Sequence, residues 1–379
     1  MDERPHIALN AHLLSGEATY RSAGIHGYLY NTLALLPEVA PEFAYTVFTG
    51  RGKPPANPGM TVRRARLPNE NPVSRIAWEQ LAAPFELRRL KPDLLHGMAF
   101  ALPLAWRGPS VVTIFDLSFI RHPERLSAAR RLYLRAFTRA SARRATRVLT
   151  ISRSARDEIH ELLGVPLDCI DVAYPGVSPD FYRRTPAEIE AFRREHGLPE
   201  RFILYLGTLE PRKNLETLIH AYARLPQRRE VRLVLAGARG WQTEGLFELI
   251  ETLGLAEDVL TTGYLSGSAL PMWYNASELF AYPSLYEGFG MPVVEAMACG
   301  APVVASHATS LPEAAGPAGT LLPPTDVDAW VDAIARLLDD EDTRRSLSRR
   351  GQQHARQFTW QQTARQTAEC YHRALLMRG

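Results

Sequence analysis

The chain is poor in lysine, in cysteine and in long apolar runs, and each shortage excludes something. Lys53, Lys91 and Lys213 are the only lysines in 379 residues, so its basic side chains are almost all arginine. The formal net charge of +3 is too small to argue for nucleic acid by itself. Cys169, Cys299 and Cys370 stand alone, with neither metal-ligand spacing nor an even-numbered framework. They read as reduced thiols of a cytoplasmic protein. No run reaches the roughly eighteen apolar residues of a membrane span. The opening MDERPHIALNAHLL has no long apolar core and no small-residue cleavage site, so no signal peptide is expected. There is no short-period repeat and no low-complexity tract. What remains is ordinary for a globular protein of about two or three domains: 46% hydrophobic and 22% charged residues, enough to bury a large core.

Short β-rich runs recur along the chain at His6–Leu9, Tyr45–Thr49, Val111–Phe115, Val148–Ile151, Phe202–Leu206, Val231–Ala236, Leu279–Tyr282 and Val303–Ala305. Segments of helical period separate most of them: Gly24–Leu36, Ser74–Leu90, Leu126–Ala145, Leu215–Leu225 and Asp328–Leu338. This alternation predicts an α/β protein with parallel sheets covered by helices on both faces. The turn-rich stretch Tyr174–Pro186 lies between two complete βα series. The expected organisation is therefore an N-terminal Rossmann-like domain over 1–176 and a second over 177–358. A helix from Trp360 to Leu376, within 359–379, is expected to cross back and brace the first domain. Such sheets bind ligands beyond the carboxyl ends of their strands.

The most informative stretch is YEGFGMPVVEAMACG, Tyr286–Gly300, with Glu287 and Glu295 eight positions apart. Pro292 suits the first turn of a helix, where its missing N–H costs nothing. The glycines before it let backbone amides approach a ligand, and a helix N-terminus suits phosphate. A carboxylate beside that phosphate is best explained as an acceptor for neutral hydroxyls, such as a ribose diol. Glu295 fits that role, and a nucleotide sugar supplies both groups. Earlier in the chain, Gly207 and Thr208 open a loop after a strand, and Arg212 and Lys213 precede a helix beginning near Asn214. Two cations at a helix N-terminus oppose its dipole unless an anion sits between them. A diphosphate would supply it, through charge-assisted bonds worth roughly 1.5–3 kcal/mol each. The bland alternative is a solvated basic turn.

Through FILYLGTLEPRKNLETLI, LVLAGARGW, TTGYLS and AYPSLYEGFGMPVVEAMACGAPVVAS, the chain resembles the retaining glycosyltransferases of the GT-B fold, specifically the large family four. The resemblance covers nearly the whole length and is strongest from Phe202 to Pro324. It implies two doubly wound Rossmann-like domains facing each other across a cleft. Arg212 and Lys213 resemble the family's phosphate clamp. Glu295 resembles the residue that holds the ribose hydroxyls, and Glu287 the one against the donor sugar. Phe289, Gly290 and Met291 would then offer amides toward sugar and phosphate. Tyr264 and Leu265 resemble the base-binding segment, with core packing as the rival reading. Gly24, in YRSAGIHGYLYNTL, falls where the family places a glycine-rich loop. Here Ala23-Gly24 stands where two glycines are common.

A second departure lies at FDLSF, where many relatives have histidine then aspartate. Phe115 takes the histidine's place, so no imidazole role carries over. Asp116 matches, and would either hydrogen-bond a sugar or cap the following turn; His122 lies six residues downstream. Two Asp-x-Asp strings, Asp326–Asp328 and Asp340–Asp342, are read as helix-start and inter-helix turn, neither following a strand, and no metal or other cofactor is expected. The resemblance implies front-face attack in which the leaving phosphate takes the acceptor's proton, with no protein nucleophile. Arg131, Arg135, Arg139 and Arg143 recur every four residues on one helix face. That face is either solvated or a contact for an anionic membrane or acceptor. The donor is expected to be GDP-mannose, from similarity to bacterial polysaccharide mannosyltransferases, and the acceptor a glycan or lipid-linked glycan. UDP-sugar transfer, a GT-B nucleotide-sugar epimerase and a noncatalytic nucleotide-sugar binder remain the alternatives.

Overall fold

A computed structural model of the chain describes residues 3–14, 23–50, 52–65, 72–122 and 128–377. These divide into two compact units, 1–176 with 359–379, and 177–358. Tyr20, Arg21 and Ser22, in the stretch leading to Gly24, lie outside the described residues, as does Pro123 beside His122.

The first unit is a seven-stranded sheet of β1 His6–Asn10, β2 Ala44–Thr49, β3 Met60–Arg64, β4 Leu94–Gly97, β5 Ser110–Thr113, β6 Arg147–Thr150 and β7 Ile170–Val172. The order is β3-β2-β1-β4-β5-β6-β7, every pairing parallel. The second unit has β8 Phe202–Leu206, β9 Arg232–Ala236, β10 Val259–Gly263, β11 Leu279–Tyr282, β12 Val303–Ser306 and β13 Thr320–Leu322. Their order is β10-β9-β8-β11-β12-β13, again all parallel. In each sheet the direction of strand addition reverses once, at β1/β4 and at β8/β11. These are the switch points at which open α/β sheets take ligands.

Central strands such as FILYL are buried on both faces, which is why they read as unbroken apolar runs. In the first sheet alternate residues feed separate cores. Ile7, Leu9, Val111 and Phe115 join one cluster with residues of helices Ala23–Val39 and Trp360–Leu376. Ala8, Val112 and Ile114 join the other, beneath Trp78 and Leu87. Helix Trp360–Leu376 belongs to the first unit and is pinned there. Thr363 Oγ1 donates to the Tyr174 carbonyl at 2.6 Å. His96 Nδ1 and Nε2 contact the Tyr371 hydroxyl at 2.7 Å and Thr113 Oγ1 at 2.8 Å. Burial pushes His96 down to about 3, so the ring is neutral.

The sequence pattern did not flag β3, β4, β7, β10 or β13. β3 and β10 are edge strands with mostly exposed residues, so they lack an apolar signature. β7 and β13 have three residues each, and β4 hides a histidine. The stretch read as one helix over Ser74–Leu90 is instead helix Pro72–Ala77, a π turn Trp78–Ala82, and helix Ala83–Leu90. Pro84 explains the break: it has no N–H, and its ring would clash with the Gln80 carbonyl in a regular helix. Asp326 caps helix Val327–Asp339 through Ala329 N at 3.1 Å, and Asp340 caps helix Glu341–Ala355 through Thr343 N at 2.9 Å. Among the described residues no helix is long and apolar enough to cross a membrane.

Candidate active site

The chemistry gathers where β8 and β11 end side by side. After β8 the chain runs through Gly207 and Thr208 to a single 3-10 turn, Pro211–Lys213. Gly207 has φ +155°, and a Cβ there would lie 2.8 Å from the Tyr205 hydroxyl. Asn214 then adopts φ 54°, a left-handed corner that asparagine tolerates. Its Nδ2 donates to the Pro283 carbonyl at 3.1 Å and the Pro324 carbonyl at 2.6 Å, tying three loops together. Leu285 N donates to the Arg212 carbonyl at 2.9 Å, so the loop after β11 is sewn to the loop after β8.

These loops hold a compact charged cluster. Lys213 Nζ donates to Glu287 Oε1 at 2.5 Å and to the Tyr282 hydroxyl at 2.6 Å. Tyr282 Oη and Ser284 Oγ donate to the same Oε1 at 3.0 and 2.6 Å. Arg212 lies 3.3 Å from Glu287 Oε2 and 2.8 Å from Glu210 Oε1, and also donates to the Tyr286 carbonyl. The Lys213 and Glu287 side chains are only 8% and 11% exposed. Burial alone would raise the Glu287 carboxyl, but Lys213 and Arg212 hold it down at about 2. Burial pulls Lys213 below its ordinary value, and Glu287 beside it opposes that pull. Two cations thus stand against two carboxylates. The anion that Arg212 and Lys213 require is supplied by the protein, 74 residues away from Lys213 in sequence.

Glu287 is held at its backbone too. Its N–H donates to Thr309 Oγ1 at 3.0 Å, and Ser310 Oγ donates to its carbonyl at 2.9 Å. Thr309 has φ 46°, uncommon for a β-branched residue. Strain of this kind gathers at functional loops.

Glu295 lies on helix Met291–Ala298, one turn in from its start. Gly290 precedes the helix at φ 105°, and a Cβ there would meet Leu311 Cδ2 at 2.7 Å. Conformation and space both demand glycine. Pro292 has no N–H, and Val293 N donates to the Gly290 carbonyl at 3.0 Å. The Met291 amide is therefore the first-turn donor not used by that turn. Glu295 Oε2 accepts from the Tyr274 hydroxyl at 3.1 Å. Burial raises its carboxyl to about 7, with Tyr274 pulling the other way.

The other residues singled out from sequence fall as follows. Phe289 is buried, its ring 5.3 Å from that of Phe358. Tyr264 is 53% exposed beyond the end of β10, so it is not core; Leu265 beside it is half-buried. Thr208 is half-buried, and its carbonyl accepts from the Tyr205 hydroxyl at 3.1 Å. Gly24 is the second residue of helix Ala23–Val39, with open space where a Cβ would stand. Asp116 Oδ1 accepts from Ser118 N at 2.9 Å, which is the turn-capping geometry. Phe115 is core, edge-on to Tyr28 at 5.2 Å. Arg131, Arg135, Arg139 and Arg143 are all exposed on helix Ala128–Arg144, and Arg143 Nε donates to the Leu163 carbonyl at 2.9 Å. Sequence reasoning missed Glu210, Tyr274, Tyr282, Ser284, Thr309 and Ser310. Of these only Tyr282, the last residue of a strand entering the glutamate segment, carried a positional signal.

Comparison with known proteins shows the family. Residues 188–354 match the family model of glycosyl transferases group 1, and residues 25–181 that of Glycosyltransferase Family 4. The chain is 38% identical over 288 residues to O-antigen chain mannosyltransferase B of Escherichia coli, covering 75% of each chain. It is 31% identical over 318 residues to serotype-specific mannosyltransferase WbdA of Escherichia coli, covering 78% of this chain and 38% of that longer one. Among solved structures, sucrose-phosphate synthase from Thermosynechococcus elongatus superposes with a TM-score of 0.77 at 22% identity, over 99% of this chain and 100% of that one, a likeness of fold. The chain belongs to the glycosyl transferases group 1, the family-four glycosyltransferases of the GT-B fold.

Proposed function

We propose that the protein transfers a mannosyl group from GDP-mannose to a glycan or lipid-linked acceptor of a cell-surface polysaccharide, with retention of configuration. The observation that carries this reading is the Arg212–Lys213–Glu287 cluster at the β8/β11 switch point, in a chain similar to a protein named O-antigen chain mannosyltransferase B. In this reading unit 177–358 binds the donor and 1–176 the acceptor, with 359–379 as a brace. Arg212, Lys213, Gly207, Thr208 and the Gly290 and Met291 amides receive the diphosphate, and Gly24 is assigned to phosphate binding. Phe289 adds an amide, Glu287 faces the sugar, Glu295 takes the ribose hydroxyls, and Tyr264 and Leu265 take the base. Asp116 turns its second oxygen, Oδ2, to a sugar hydroxyl.

Charge grows on the leaving phosphate as the anomeric C–O bond breaks. Cations already fixed by Glu287 and Glu210 stabilise that state more than the bound donor, because they need not reorganise. Neutralisation comes from Arg212 and Lys213. A thermal-shift panel tests the donor. At about a hundred times its Kd, GDP-mannose should add about 2.7 kcal/mol and raise the melting temperature by several degrees. A larger shift from UDP- or ADP-sugars moves the assignment to that base.

The same reading places the protein on the cytoplasmic side, with the Arg131, Arg135, Arg139 and Arg143 face against anionic lipid. Leu132, between them in sequence, is 71% exposed. Cosedimentation with phosphatidylglycerol vesicles at low salt should pellet the protein and fail for a variant with Arg131, Arg135 and Arg139 changed to alanine. A wild type that stays in the supernatant discards the membrane contact.

A further inference from the structure

The first sheet has its own switch point, β1/β4, and a second cluster stands at its carboxyl end. Asn10 is the last residue of β1 and His12 follows it. Trp78 and Glu79 open the π turn. Asn10 Nδ2 donates to Glu79 Oε1 at 3.5 Å, and the Tyr133 hydroxyl to Oε2 at 3.4 Å. The His12 and Trp78 rings are 3.8 Å apart, tilted by 52°. Asn10, His12, Trp78 and Glu79 are each only 4–7% exposed.

A neutral side chain would pack segment 72–90 onto the sheet more cheaply, because desolvating a carboxylate costs several kcal/mol. The π turn is a second departure at the same residue, of the kind found at functional sites. Both fall where the sheet offers its ligand crevice. Chemistry narrows the ligand. A carboxylate and an amide oxygen accept from vicinal hydroxyls, amide and imidazole N–H groups donate, and an indole offers an apolar face to C–H groups. None of the five residues carries a fixed positive charge.

We propose that Asn10, His12, Trp78 and Glu79 bind a neutral sugar of the acceptor, with Glu79 accepting hydrogen bonds from its hydroxyls and Tyr133 positioning Glu79. This rests on the glycosyl-transfer reading above.

The test uses the full chain, GDP-mannose as donor, and octyl α-mannoside, octyl α-glucoside and octyl β-galactoside as acceptor probes. Glu79→Gln, which keeps shape and removes charge, should raise the acceptor KM about tenfold or more while the donor Kd from calorimetry stays within about twofold. Tyr133→Phe should raise the acceptor KM about threefold with the same donor Kd, and it carries the test if Glu79→Gln does not fold. An acceptor KM within about twofold of wild type, or a donor Kd rising in parallel, overturns the proposal. So does a wild type that binds GDP-mannose yet glycosylates none of the three probes. A wild type that does not bind GDP-mannose at all instead sinks the donor reading.

Discussion

Lys213→Ala is expected to lower turnover by about two orders of magnitude or more, the scale seen when one preorganised group is removed from a developing oxyanion. The donor Kd should change far less, because the ammonium matters most once charge has moved onto the leaving phosphate. The same variant should also be less stable. Glu287 would keep Arg212 at 3.3 Å but lose its 2.5 Å partner while remaining buried. Breaking a buried pair costs about 3–5 kcal/mol, and the remaining arginine should hold the loss to the lower end. Melting and steady-state rates on one preparation check both. Near-normal turnover in a folded variant removes Lys213 from the reaction.

Glu295→Gln should do the reverse to stability: weaken donor binding and strengthen the empty protein. The folded carboxyl is raised from an ordinary 4.5 to about 7, so between those values the folded state holds a proton that the unfolded chain has released. Its stabilising contribution is complete below pH 4.5, declines as pH rises, and is gone above about 7. At pH 8 the carboxylate therefore costs the fold up to roughly 3 kcal/mol, and the neutral amide escapes that penalty. The variant should melt higher than wild type at pH 8, and the gap should close toward pH 4.5. Donor affinity should fall about 10- to 100-fold, the equivalent of one charge-assisted hydrogen bond. Wild-type affinity should rise with pH up to about 7 as Glu295 ionises, and the variant should show no such rise. Unchanged donor affinity in calorimetry ends the ribose assignment.

The two glutamates show how much was legible in the chain. Gly290, Pro292 and the apolar spacing after them mark a helix start, so the place of Glu295 follows from local chemistry. Its raised carboxyl does not, because the burial comes from packing against helix Leu270–Ala276, which holds Tyr274. Glu287 was less legible still. Its partners Lys213 and Arg212 arrive from the end of β8, and only the sheet order puts β8 beside β11. From sequence the Arg212–Lys213 pair demanded an anion, and a diphosphate was the natural candidate. The fold places Glu287 and Glu210 there before any donor binds. Glu79 was invisible for a related reason: a periodic helix over Ser74–Leu90 gives no hint of the π turn that sets it beneath β1. Edge strands β3 and β10 escaped because exposed strands lose the apolar run that betrays central ones.

The central claim is that Lys213 acts on the leaving diphosphate and not only as a counter-ion for Glu287. The most direct measurement is GDP release from GDP-mannose by wild type and by the double variant Lys213→Met/Glu287→Gln. Removing both charges together leaves no buried ion unpaired, so the double variant should melt close to wild type. Its rate of GDP release should still be lower by about two orders of magnitude or more. A double variant that is stable and releases GDP at nearly the wild-type rate contradicts the account.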